Sequence, residues 1–143
     1  MSTETRAAGR CHCGAVKILF PLPPKGCIHC HCPACRRVHG AAFVTWVSVL
    51  REQLKLSGRE HLKWYKDTPT SMRAFCTNCG THMLFVADRW PEDVHVTRAC
   101  IFNDVEVIPR AHLSFDLRVD WFPFADSLPR LLSPEAAARQ ASA

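Results

Sequence analysis

Apolar residues in this chain come in short runs rather than in helical stripes. Segments 15–20, 43–50, 54–57, 61–65, 72–75, 82–86 and 94–99 are each rich in β-branched or aromatic side chains and bounded by Gly, Pro, Asp or Asn. That pattern predicts about seven short strands. The candidate helices, 34–38 directly after Pro33 and 51–54, are too short to show a 3.6-residue period. Pro109, Pro123 and Pro129 interrupt the apolar segment 108–132, which therefore reads as extended coil laid across a sheet. A mainly β fold with few short helices follows.

Residues 1–9 are small and polar, and 133–143 (SPEAAARQASA) carries no large apolar group. The expectation is one domain over 10–132, between a flexible N-terminus and a flexible C-terminal tail that can form a frayed helix. A length of 143 residues with 48% hydrophobic content supports a single modest core, too short for two ordinary domains. No stretch reaches the roughly 20 apolar residues of a membrane helix, and MSTETRAAGR lacks the apolar centre of a secretory signal, so the expected location is cytoplasmic. The formal charge of +5 raises nucleic acid as a partner, but the basic residues are scattered and none of their runs exceeds Arg36-Arg37. Nucleic acid is accordingly the last-ranked partner.

Nine cysteines change the picture. They fall at 11, 13, 27, 30, 32, 35, 76, 79 and 100, mostly in C-x-C or C-x-x-C clusters. Such close neighbours are poorly placed to bridge one another and well placed to share a metal. Cys11-His12-Cys13-Gly14 and Cys76-Thr77-Asn78-Cys79-Gly80 each end in a glycine. A glycine there permits positive φ, which turns backbone N–H groups toward the sulfurs. Together the two knuckle-like turns supply four sulfurs, the closed set of a structural zinc. Zinc binding of that kind contributes on the order of 10–16 kcal/mol, at least as much as the net stability of a typical domain.

The second constellation is Cys30-His31-Cys32-Pro33-Ala34-Cys35, where Pro33 suits the first position of a short helix that brings Cys35 round to the other two sulfurs. Three ligands keep a fourth position open, as catalytic zinc requires. Cys27, at C-x-x-C spacing to Cys30, is the alternative fourth ligand that would close the site. Alternation along an extended segment sends His12 and His31 away from their flanking cysteines, so both read as surface histidines. Cys100 reads as a buried small hydrophobe. Arg36 and Arg37 are either a clamp for a substrate carboxylate or solvated helix-end charges. Two zincs on seven thiolates lower the formal charge to +2, which weakens the nucleic-acid reading further.

The order C-x-C-G, C-H-C-x-x-C-R and F-C-x-x-C-G-[ST], here Cys11–Gly14, Cys30–Arg36 and Phe75–Thr81, resembles the glutathione-dependent formaldehyde-activating enzyme family, which also includes centromere protein V. His112-Leu113, Trp121 and Leu128-Pro129 are similar to the family's C-terminal signature; Cys27 lies outside its pattern. The resemblance implies a β-tent fold of several short antiparallel sheets with zinc-knuckle turns. It also implies two zincs, a structural one on Cys11, Cys13, Cys76 and Cys79 and a catalytic one on Cys30, Cys32 and Cys35. The implied activity is that of a carbon–sulfur lyase joining glutathione, or a similar small thiol, to formaldehyde or reversing that step. General acid and base residues are not assigned by sequence. A non-catalytic zinc module that binds another protein through aromatics near Trp121, Phe122 and Phe124 is the alternative.

Overall fold

The computed structural model describes residues 5–142. Strand outweighs helix, 38% against 20% of residues, and the strands form two sheets, so the fold is mainly β as expected. No helix among the described residues is long and apolar enough to cross a membrane. The described chain divides into two compact units, one built from residues 5–26 together with 47–107, the other from 27–46 together with 108–142.

In the first unit, β1 (Arg6–Arg10), β2 (Lys17–Pro21) and β5 (Lys55–Ser57) form an antiparallel three-stranded sheet in the order β1-β2-β5. Strand β2 alternates as its sequence predicts, with Ile18 and Phe20 buried between more exposed neighbours. Strands β6 (Leu62–Thr68), β7 (Ser71–Cys76), β8 (His82–Ala87) and β9 (Asp93–Thr97) form an antiparallel meander, with register Leu62↔Cys76, Met72↔Val86 and Leu84↔Val96. Its core collects Val16, Ile18, Phe20, Val47, Val49, Ala74, Met83, Leu84 and Val96, all nearly or fully buried.

The second unit contains β3 (Gly26–Cys30) from Cys27 onward, helix α1 (Pro33–His39), the start of β4 (Val44–Leu50), and the C-terminal segment. Strand β10 (His112–Leu113) pairs parallel with β3, matching His112 to His29 and Leu113 to Cys30. The rest of 108–132 is coil apart from a 3-10 turn at Phe115–Leu117 and a bridge from Arg130 to His112, much as the prolines predict. Helix α2 (Pro134–Ala141) follows Ser133, whose hydroxyl accepts from the Ala136 N–H (3.2 Å).

Seven strands lie within a few residues of their predicted positions. Three others, β1, β3 and β10, were not foreseen. Strand β1 begins at Arg6, inside the segment assigned to the flexible N-terminus, and residues 98–100 form a 3-10 turn instead of extending the preceding strand.

Candidate metal centres

Within the first unit, β1 ends immediately before Cys11, and β7 ends on Cys76. Both chains then turn through a glycine of positive φ, +83° at Gly14 and +79° at Gly80, the conformation that the C-G pattern predicts. The turns bring the sulfurs of Cys11, Cys13, Cys76 and Cys79 within 4.8 Å of one another. The pairs Cys11–Cys13 at 3.6 Å and Cys13–Cys76 at 3.8 Å match the ~3.8 Å edge of a tetrahedron with metal–sulfur bonds of about 2.3 Å.

Donors surround these sulfurs. The Val16 N–H donates to Cys11 Sγ (3.3 Å), the Ala15 N–H to Cys13 Sγ (3.5 Å), and the Asn78 side-chain amide to Cys13 Sγ (3.2 Å). The His12 N–H reaches Thr81 Oγ1 (3.0 Å), which joins the two turns. The Asn78 amide, followed by the Ala15 N–H, holds the Cys13 thiol below the ordinary range. Burial opposes the Cys79 thiolate, but the Thr81 hydroxyl and further hydrogen bonds outweigh it and bring that thiol down to about 5. Burial pushes Cys76 up to about 11. A donor-rich set of four sulfurs at tetrahedral spacing fits a closed metal site. Cys100, buried and pushed up to about 12 by burial and then by Cys11 and Cys79, stays outside the group, and His12 is exposed.

Within the second unit, Cys30 ends β3, Cys32 caps α1, and Cys35 sits in the first turn of that helix. The three sulfurs lie within 4.8 Å of one another, and Cys27 is not in the group. Cys32 Sγ accepts the Cys35 N–H (3.3 Å), while Pro33 occupies the start of α1 and Gly40 ends it at φ +60°. The thiols of Cys32 and Cys35, and then burial, push Cys30 strongly upward. Crowded sulfurs that resist ionisation together fit a divalent cation, whose charge reverses that preference. Two cysteine clusters can therefore hold metal ions, and their all-sulfur donor sets suit zinc.

The expectation for His31 is overturned. Its side chain is fully buried rather than on the surface. Phe43, Phe115 and Phe124 pack around its ring at centroid distances of 5.6, 5.2 and 4.8 Å. Its Nε2 is 2.7 Å from Nδ1 of the buried His112, and His112 Nε2 is 2.9 Å from both carboxylate oxygens of Asp126. Burial, followed by the neighbouring His112 and His29, brings His31 down to about 4. Arg36 donates to the carbonyls of His31 (3.1 Å) and Leu117 (3.2 Å), whereas Arg37 is exposed. Sequence reasoning missed Asp126 altogether; His112 was noted only as part of the C-terminal signature.

Comparison with known proteins identifies the family. The family model described as "Glutathione-dependent formaldehyde-activating enzyme" matches residues 6–116. A Halomonas elongata protein named "Putative glutathione-dependent formaldehyde-activating enzyme" is 32% identical over 121 residues, covering 79% of this chain and 77% of its own length. A Schizosaccharomyces pombe protein named an uncharacterized lyase is 27% identical over 121 residues, covering 82% of this chain and 85% of its own. A crystal structure of a Rhodobacter sphaeroides protein superposes with a TM-score of 0.58 at 29% identity, over 69% of this chain and 90% of that one. With a family model spanning most of the chain and sulfur clusters at its three cysteine motifs, the protein belongs to the glutathione-dependent formaldehyde-activating enzyme family.

Proposed function

We propose that the protein is a cytoplasmic, zinc-dependent carbon–sulfur lyase acting on the thiol adduct of a small aldehyde, of the glutathione–formaldehyde kind. Cys11, Cys13, Cys76 and Cys79 hold a structural zinc; Cys30, Cys32 and Cys35 hold the catalytic one. The observation that carries this reading is the group of three sulfurs, one donor short of a closed tetrahedron, in a family named for that chemistry.

In the cleavage direction the carbon–sulfur bond of the adduct breaks, the hydroxyl proton departs as the carbonyl forms, and sulfur leaves as thiolate. Addition is the reverse, and neither direction needs an oxidant or a reductant. A zinc ion bound by the three cysteines supplies Lewis acidity that keeps a thiol sulfur ionised at neutral pH. The protein's own groups prepare that position. The Cys35 N–H supports the Cys32 sulfur, and Arg36 anchors the His31 backbone between the two first sulfurs. With Arg36 so engaged, the exposed Arg37 is the cation left to attract a substrate carboxylate.

Cobalt substitution tests the reading. Glutathione added to the dicobalt protein is expected to alter the thiolate-to-cobalt bands of one metal alone, and formaldehyde is then expected to be consumed. An unresponsive spectrum rejects the open site. The second reading, a protein-interaction module, draws on the 69% exposure of Trp121 and 43% exposure of Phe122. It is favoured if both cobalt centres ignore thiols.

A further inference from the structure

The chain from the exposed Asp126 through the buried rings of His112 and His31 belongs to no part of the reaction described so far. A carboxylate only accepts hydrogen bonds, so the His112 nitrogen facing both Asp126 oxygens carries the hydrogen. In a neutral His112 the other nitrogen, Nδ1, is an acceptor and receives the hydrogen on His31 Nε2 at 2.7 Å. Nδ1 of His31 is left as a bare acceptor, buried and without a hydrogen-bond partner among the described residues. Two rings and one carboxylate thus share a single direction of donation. His31 is the residue between Cys30 and Cys32, and its own carbonyl is held by Arg36.

We propose that Asp126, acting through His112, is a positioning residue of the three-sulfur site: its carboxylate sets the direction of hydrogen bonding along two buried rings and so holds His31 in one tautomer and one orientation. The proposal rests on the lyase reading for its catalytic consequence but not for its structural content. A His31 ring held in one orientation, with its carbonyl held by Arg36, fixes the backbone that carries the two flanking sulfurs.

Asp126→Asn is the informative variant, because Asp126 Oδ1 also accepts the Leu128 N–H (3.0 Å). An asparagine that keeps its oxygen on Leu128 turns its NH₂ toward His112 and reverses the chain. Nitrogen-15 NMR of the zinc-loaded protein is expected to show His31 as the Nε2–H tautomer in the native chain and the Nδ1–H tautomer in Asp126→Asn. Alongside that switch, the cobalt spectrum of the three-sulfur centre should shift and turnover should fall about 10–100-fold, with the four-sulfur centre unchanged. Asp126→Glu, which keeps a carboxylate, should restore the native tautomer and part of the activity; failure to restore either overturns the proposal. So does a native His31 with hydrogen on Nδ1, or an Asp126→Asn protein whose tautomer is unchanged. A tautomer switch that moves neither cobalt spectrum nor turnover also overturns it. If the native protein lacks lyase turnover while tautomer and cobalt spectrum respond together, the lyase reading fails and the positioning role stands.

Discussion

The two sulfur groups differ in how much chain they tie together. The first draws Cys11 and Cys13 to Cys76 and Cys79 across more than sixty residues, with amides and a threonine hydroxyl turned toward it from both turns. The second takes all three sulfurs from six consecutive residues at one strand–helix junction. An ion in the first closes a long loop that the chain must otherwise close at an entropic cost. An ion in the second organises a turn that already has a helix cap and aromatic packing. The contrast teaches that an ion in the first site has more folding work to do than an ion in the second.

The largest expected effect follows directly. Cys76→Ser, or stripping both metals with a chelator, is expected to unfold the first unit, since a structural zinc is worth about 10 kcal/mol or more against a net stability of about 5–15. Circular dichroism at 25 °C checks this, and a variant that keeps its native spectrum breaks the comparison. Cys35→Ser is expected to lose one metal by elemental analysis and all lyase turnover while keeping a cooperative melt within a few degrees of native. If it unfolds as Cys76→Ser does, the centres are equivalent in folding.

A smaller effect concerns the C-terminal helix, which is held without any metal. Ser133 caps α2 and donates its N–H and hydroxyl to Asp116 at 2.5 and 2.7 Å. Ser133→Ala is expected to cost about 1 kcal/mol, read by urea unfolding. The Ser133 N–H, followed by its hydroxyl against some burial, holds the Asp116 carboxyl below the usual range. Its contribution is therefore full above the ordinary carboxylate range and is lost as the pH falls through the lowered folded value. Amide exchange across 134–141 should accelerate only there, and acceleration near neutral pH contradicts the assignment. The smallest effect is expected from Cys27→Ala, with metal content staying at two per chain. Loss of one ion makes Cys27 a ligand and turns the second centre into a closed site like the first.

Much of this was legible because the relevant chemistry is local. C-x-C-G and C-x-x-C-G encode their own turn, and Pro33 starts α1 by backbone rules alone. Strand β1 escaped notice because RAAGR has no β-branched or aromatic residue; its pairing to β2 supplies what propensity does not. Strand β10 depends on parallel pairing between residues more than eighty apart, His112 with His29. The same distance misled the reading of His31. The residues that cover its ring, His112, Phe115 and Phe124, arrive from the far end of the chain. No local window records them.

One sulfur serves two masters. Cys32 accepts the Cys35 amide hydrogen with the same atom it offers to an ion, at the head of a seven-residue helix too short to persist by itself. Deuterium uptake at that single amide is thus a gauge of how full the site is, readable even with an ion as spectroscopically silent as zinc.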